Sequence, residues 1–75
     1  MEKTTKHLLF KSSNNGDIYV FNKKSLDYPL GIIYYYKSWK KYVFDIEEGM
    51  MFDSTCLKDI YEVLEELDKE KSNGK

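Results

Sequence analysis

The pattern of apolar and polar positions divides the chain into a strand-forming part and a helix-forming part. Short runs rich in β-branched and aromatic residues predict strands at residues 7–11 and 18–21, and two more within the segment 30–46. Apolar residues at three- and four-residue spacing predict one amphipathic helix from about Ser54 to Lys69. Strands followed by a helix predict an α+β fold, a four-stranded antiparallel meander with the C-terminal helix packed on one face (ββββα).

Turn-forming residues separate these elements. The segment Ser12–Asp17 is the clearest turn, and its Asn-Gly pair favours a type I′ hairpin. Gly31, early in the third strand, indicates either a bulge or the close approach of another element. Residues 50–52 are expected to form a short edge strand or to cover the end of the core. We expect one small domain, 1–75, with flexible polar segments at 1–6 and 70–75.

The segment Leu30–Ile46 is the most apolar part of the chain and contains half of its aromatic residues. A tip at Ser38-Trp39 and a four-residue loop from Lys37 to Lys40 give the same strand pairing. On one side of the sheet that pairing places Tyr36 opposite Lys41, Tyr34 opposite Val43 and Ile32 opposite Asp45. The other side, which we expect to hold the helix, carries Gly31, Ile33, Tyr35, Tyr42, Phe44 and Ile46.

The predicted helix has a broad apolar face and a charged face. The apolar residues, which are expected to pack on the sheet, are Cys56, Leu57, Ile60, Tyr61, Val63, Leu64 and Leu67. A single helix covers only one face of a sheet. We therefore expect the other face to be exposed or to be covered by a partner.

Size and charge limit the classes of function. A chain of 75 residues is near the lower limit for a self-sufficient core, so a homodimer is a natural supplement. The net charge of -1 is unevenly distributed, because Lys dominates residues 1–45 and acidic residues dominate residues 46–75. The single Cys, the polar N-terminus and the lack of a run of about 20 apolar residues predict a cytoplasmic protein with no membrane contact.

The residues that carry catalytic chemistry are few. His7 is the one histidine, and Cys56 is the one cysteine, placed in the first helical turn where the helix dipole lowers the pKa of a thiol. Nothing in the sequence requires the two to meet, and a buried structural Cys on an apolar helix face is far more common. One Cys and one His do not fill a zinc shell. We expect no enzyme activity, no catalytic or metal site and no cofactor.

Two kinds of binding surface fit the composition. An aromatic patch on the uncovered sheet face and at the hairpin tip predicts contact with a protein, since Tyr and Trp are common interface anchors. Its residues are Ile32, Tyr34, Tyr36, Trp39 and Val43. The alternative is a nucleic-acid surface, since lysines among aromatic residues track phosphates and stack bases. Its residues are Lys23, Lys24, Lys37, Lys40 and Lys41. The lack of Arg and the acidic helix favour protein binding.

About half of the chain resembles small uncharacterised proteins encoded by phages and prophages. The matching residues are Leu30–Ile33, Tyr36–Phe44, Phe52, Cys56–Ile60 and Val63–Leu67, which include a Trp-basic-x-Tyr-x-Phe hairpin and a Cys-Leu-x-Asp-Ile helix start. Such proteins often have Pro at the position that Ser38 occupies here. The resemblance implies a mobile-element origin and a small α+β domain, and it brings no activity with it. Small phage proteins often bind a host protein, so the chain is expected to be a non-enzymatic protein-binding domain in the host cytoplasm.

Overall fold

The computed structural model describes residues 2–73. Its elements are β1 (Glu2–Thr4), β2 (Leu8–Ser12), β3 (Ile18–Asn22), β4 (Gly31–Tyr36), β5 (Lys41–Ile46) and α1 (Ser54–Asn73). The five strands form one antiparallel sheet in the order β1-β2-β3-β4-β5, and α1 packs on one of its faces. The α+β class, the antiparallel meander and the C-terminal helix are thereby confirmed.

The predicted number of strands was wrong, because residues 2–4 add a fifth strand at the edge of the sheet. β1 pairs with β2 in the register Glu2↔Lys11, Lys3↔Phe10 and Thr4↔Leu9. Its residues have no apolar alternation, and the strand forms because the free edge of β2 supplies backbone partners. The flexibility expected for residues 1–6 and 70–75 stays a prediction. Met1, Gly74 and Lys75, which belong to those segments, lie outside the described residues.

The core lies between the sheet and α1. Its buried side chains are Leu8, Phe10, Ile18, Val20, Ile33, Ile60 and Val63. Two helix residues predicted for this core, Leu57 and Tyr61, are instead 49% and 59% exposed. A helix contacts a sheet along one narrow stripe, and these two residues lie roughly 90° or more around the helix axis from that stripe.

The hairpin of β4 and β5 has the predicted register. Six pairs join the strands, from Gly31↔Ile46 at one end to Tyr36↔Lys41 at the other, and residues 37–40 form the four-residue loop. Gly31 is explained by a close approach: a Cβ built on it would lie 2.5 Å from Cε1 of the Phe44 ring. Ile46 is on the predicted side of the sheet but is 51% exposed, because it lies at the end of an edge strand.

The turn between β2 and β3 differs from the predicted type I′ turn. Gly16 donates its N–H to the Ser13 carbonyl oxygen at 3.2 Å, and Ser13 donates its N–H to the Asp17 carbonyl oxygen at 2.7 Å. Gly16 has a φ of 94°, whereas Asn15 does not have a positive φ. A type I′ turn requires positive φ at both central residues, so this is a longer turn in which Gly16 alone takes the left-handed conformation.

The helix begins immediately after a segment that covers one end of the core. Residues 50–52 form no strand, and the Phe52 ring packs edge-to-face on Phe44 with centroids 5.5 Å apart. Asp53 is the N-cap: its carbonyl oxygen accepts the Leu57 N–H at 3.0 Å, and its Oδ1 accepts the Cys56 N–H at 2.9 Å. The first of these is the first backbone bond of the helix, and the second satisfies a backbone donor that the first helical turn leaves without a partner.

Candidate interaction surface

The side of the sheet away from α1 carries a continuous apolar surface. In an antiparallel sheet, directly opposite residues lie on the same face, so the strand registers identify its members. Register places on this side Leu9, Tyr19, Phe21, Ile32, Tyr34 and Val43, which extend from β2 to β5 and are all half-buried. We call these six residues the open face. Single domains seldom leave so wide an apolar surface without a use.

The hairpin tip extends the open face with two more aromatic rings. Tyr36 and Trp39 pack edge-to-face, with ring centroids 5.1 Å apart and an interplanar angle of 89°. They remain 39% and 69% exposed, respectively. Within the loop, Trp39 donates its N–H to the Tyr36 carbonyl oxygen at 3.2 Å. Lys40 takes the left-handed backbone conformation, with a φ of 55°, and leads the chain into β5. The tip therefore presents a preformed aromatic pair rather than two independent side chains.

The five residues predicted for protein contact lie together. Ile32, Tyr34 and Val43 belong to the open face, Tyr36 is on the same side of β4, and Trp39 packs against Tyr36. A shallow groove of ≈ 330 Å³ runs among Tyr34, Trp39 and Val43. The structure thus brings these five residues together, and their role in binding stays a prediction.

The sequence prediction missed half of the open face, namely Leu9, Tyr19 and Phe21. Leu9 lies directly opposite Phe21, and Tyr19 lies directly opposite Ile32. The signal was present in the sequence, because both alternating positions of β3 are apolar or aromatic, which is typical of a strand buried on both sides. A strand covered by one helix needs only one apolar side.

Charged groups of both signs border the open face. By register Glu2, Lys11, Lys41 and Asp45 lie on the same side as the open face, two of each sign. Tyr34 donates a long hydrogen bond of 3.4 Å to Asp45 Oδ2. The pKa of the Tyr34 hydroxyl is raised above its usual value, first by desolvation and then by the Asp45 carboxylate. This charge balance is unlike the uniformly positive surface that binds phosphates.

The five lysines of the nucleic-acid alternative do not form one track. Lys37, Lys40 and Lys41 lie at or beside the β4–β5 loop, whereas Lys23 and Lys24 follow β3 at the other end of the sheet. The five lysines therefore lie in two separate groups. Successive connections of a meander alternate between the two ends of the sheet, which separates the β3–β4 connection from the next loop. Lys23 Nζ also donates to the Thr5 carbonyl oxygen at 3.0 Å.

Cys56 has the opposite electrostatics from those expected of a reactive thiol. The pKa of the thiol is raised, first by desolvation and then by contact with the Asp53 carboxylate. His7 is exposed beside the start of β2. Within residues 2–73, no three His, Cys, Asp or Glu side chains are grouped closely enough to hold a metal ion. In the same part of the chain, α1 is too polar to cross a membrane.

Comparison with known proteins gives no relative for this chain. It matches no protein-family model, no curated protein sequence and no solved structure.

Proposed function

We propose that this chain is a non-enzymatic protein-binding domain, of the phage or mobile-element type that its sequence resembles, and that the open face and the Tyr36–Trp39 tip receive a partner protein. The observation that supports this most is the continuity of apolar side chains across four strands on the side without a helix. An apolar sheet face is normally covered by another element, and this face is left without a second helix or an equivalent element from another molecule.

The chemistry of the open face fits a protein more closely than a nucleic acid. Aromatic residues surrounded by mixed charges are typical of interface centres and their rims. Asp45 lies next to Tyr34 and repels a phosphate approaching that ring. The lysines at the tip, Lys37, Lys40 and Lys41, would steer an acidic partner toward the hairpin.

The partner is either another protein, such as a host protein, or a second copy packed face to face. Both would contact the same residues, and the same variants test both. The Tyr34→Thr/Tyr36→Thr double variant removes two rings from the centre and tip while keeping β-forming residues in β4. We expect at least a tenfold loss of affinity, because truncated aromatic anchors typically cost about 2 kcal/mol or more.

The matched control is Tyr28→Thr, which removes an exposed Tyr from the β3–β4 connection. Circular dichroism and thermal unfolding establish that each variant is folded. Partners captured from host lysate by the wild-type chain are identified by mass spectrometry, and their affinities for the three proteins are measured by titration. Light scattering at several concentrations follows self-association. If the double variant kept its partner affinity and its oligomeric state, the open face would not be the binding surface.

Nucleic-acid binding through the lysine-bearing tip is the second candidate, supported by Lys37, Lys40 and Lys41 beside exposed Trp39. It predicts binding of single-stranded DNA or RNA whose affinity falls steeply with salt. A salt titration of binding, with Trp39 fluorescence as the readout, decides this candidate. A log–log slope near zero excludes phosphate contact.

A further inference from the structure

The sheet has two edges, and they differ in their capacity to pair with another strand. β1 has three residues and carries Glu2 and Lys3, and short charged edges pair poorly. β5 has six residues, Lys41–Ile46, with Tyr42, Val43 and Phe44 at its centre. Pairing with another strand is therefore expected at β5.

The hydrogen-bond pattern identifies which β5 residues direct their backbone groups away from β4. Glu47 donates its N–H to the Leu30 carbonyl oxygen at 2.9 Å, so Glu47 belongs to the inward set. Inward and outward residues alternate along a strand, which makes Tyr42, Phe44 and Ile46 the outward set. Independent support comes from Tyr42, whose N–H donates to Asp68 Oδ1 at 2.8 Å instead of to β4.

The side of α1 that reaches this edge also carries two exposed apolar side chains. Leu57 and Tyr61 lie eleven and seven residues before Asp68, so all three share one side of α1. The Asp68 carboxylate reaches the edge of β5 from this side of the helix. Both are about half-exposed, as is Ile46 at the end of β5. At the edge itself, β5 offers its outward backbone groups and the exposed Ile46 side chain.

Charge is distributed along β5 so that the strand complements an inverted copy of itself. Lys41 begins the strand, and Asp45 and Glu47 lie toward its other end. We propose that β5 pairs with β5 of a second copy, antiparallel, about a twofold axis at Phe44. In this register Lys41 faces the partner's Glu47, and Tyr42 faces the partner's Ile46.

Other registers fit the strand less well. An axis at Val43 pairs Ile46 with Lys40, whose φ of 55° takes it out of the extended conformation. An axis at Asp45 places two aspartates directly opposite each other, and like charges in that position are destabilising. The axis at Phe44 uses every residue of β5 together with Glu47, which continues the bonding to β4.

Asp68 opposes this pairing. Its carboxylate occupies the place that the partner's Ile46 carbonyl oxygen would take as acceptor of the Tyr42 N–H. Three outward residues on each copy allow six bonds across the pair, and only the two from Tyr42 N–H require Asp68 to move away. Asp68 therefore weakens association without preventing it, and its removal is expected to strengthen the dimer.

The pairing leaves the proposed function intact, because it uses the edge of the sheet and not its face. Antiparallel edge pairing relates the copies by an axis perpendicular to the sheet. Both open faces then lie on the same side of a ten-stranded sheet, and both helices lie on the other side. Two copies would present one wide aromatic surface.

Charge reversal tests the register. Sedimentation velocity over a concentration series measures the dimer dissociation constant of the wild-type chain, Lys41→Glu, Glu47→Lys and an equimolar mixture of the two variants. Each reversal creates two like-charge pairs in its own dimer, and we expect about tenfold weaker dimers. The mixture restores both opposite-charge pairs and is expected to associate as the wild type does. Lys24→Glu and Glu66→Lys, exposed positions away from the edge, are the matched controls and are expected to leave dimerisation unchanged.

Two further measurements distinguish edge pairing from face-to-face packing. Asp68→Ala is expected to lower the dimer dissociation constant, and the Phe44 amide is expected to exchange more slowly with deuterium as protein concentration rises. A chain that stays monomeric at every concentration, even as Asp68→Ala, overturns the proposal. So does a mixture of the two reversals that associates no better than either one alone. A dimer lost in Tyr34→Thr/Tyr36→Thr but insensitive to both charge reversals assigns self-association to the open face instead.

Discussion

Replacing Gly31 with Ala tests the packing of the central hairpin. An added Cβ would lie 2.5 Å from Phe44 Cε1 and 2.6 Å from the Asp45 carbonyl oxygen, distances that real Cβ atoms essentially never show. The Phe44 ring can turn away at the cost of its contact with Phe52. The Asp45 carbonyl is less free to move, because Asp45 is paired with Ile32 in the strand ladder.

Two opposing effects determine the magnitude. Overpacking a tight site typically costs about 1–3 kcal/mol. Replacing a strand Gly lowers the entropy of the unfolded chain, which raises the free energy of unfolding by about 0.5–1 kcal/mol. We therefore expect Gly31→Ala to lower the free energy of unfolding by about 1–2 kcal/mol. For a domain with a urea m-value near 1 kcal/mol/M, this moves the unfolding midpoint down by about 1–2 M.

A double-mutant cycle with Phe44→Leu tests the cause. Leu lacks the ring atoms that the new Cβ would meet, so part of the cost of Gly31→Ala should vanish in the Phe44→Leu background. We expect a coupling free energy of about 0.5–1 kcal/mol from urea unfolding of the four proteins. Gly31→Ala as stable as the wild type, or two strictly additive substitutions, would refute the close contact as the reason for glycine.

Two further predictions concern the start of α1. The pKa of Asp53 is lowered, chiefly by the hydrogen bond from the Cys56 N–H, so its stabilising effect is present above the unfolded-state pKa near 4 and is lost as pH falls through the folded-state pKa. Thermal unfolding from pH 6 to pH 2.5 should show a steeper loss for the wild type than for Asp53→Asn, and parallel profiles would contradict this. Burial and Asp53 raise the pKa of Cys56, so its reaction with a disulfide reagent at pH 8 should be slower than that of free cysteine. A faster reaction would show that the thiol is activated after all.

The sequence was sufficient for the hairpin because its two sides differ in polarity. Alternation between Ile33 and Tyr34, continued by Val43 and Phe44, fixed both the register and the side that holds the helix. β1 was not predictable in the same way. Residues such as Glu2 and Lys3 form a strand only because β2 offers them an unpaired edge, which no local pattern records.

The errors at the candidate site have geometric causes. Tyr19 and Phe21 were assigned to a strand but to neither side of the sheet, because a strand that is apolar on both sides has no alternation of apolar and polar residues to interpret. Lys23 and Lys37 were assigned to one candidate surface, whereas consecutive connections of a meander are at opposite ends of the sheet. The 59% exposure of Tyr61 follows from the small width of contact between one helix and one sheet.

The order of the elements has a consequence for the nascent chain. Every strand pairs with its sequence neighbour, so the sheet is assembled from local hairpins that are all synthesised before α1. Such local topologies fold quickly. Until Ile60 and Val63 leave the ribosome, however, the meander is apolar on both sides, and exposed apolar surface of this kind favours aggregation. α1 is therefore the element that converts a sheet apolar on both sides into a domain with one apolar face uncovered.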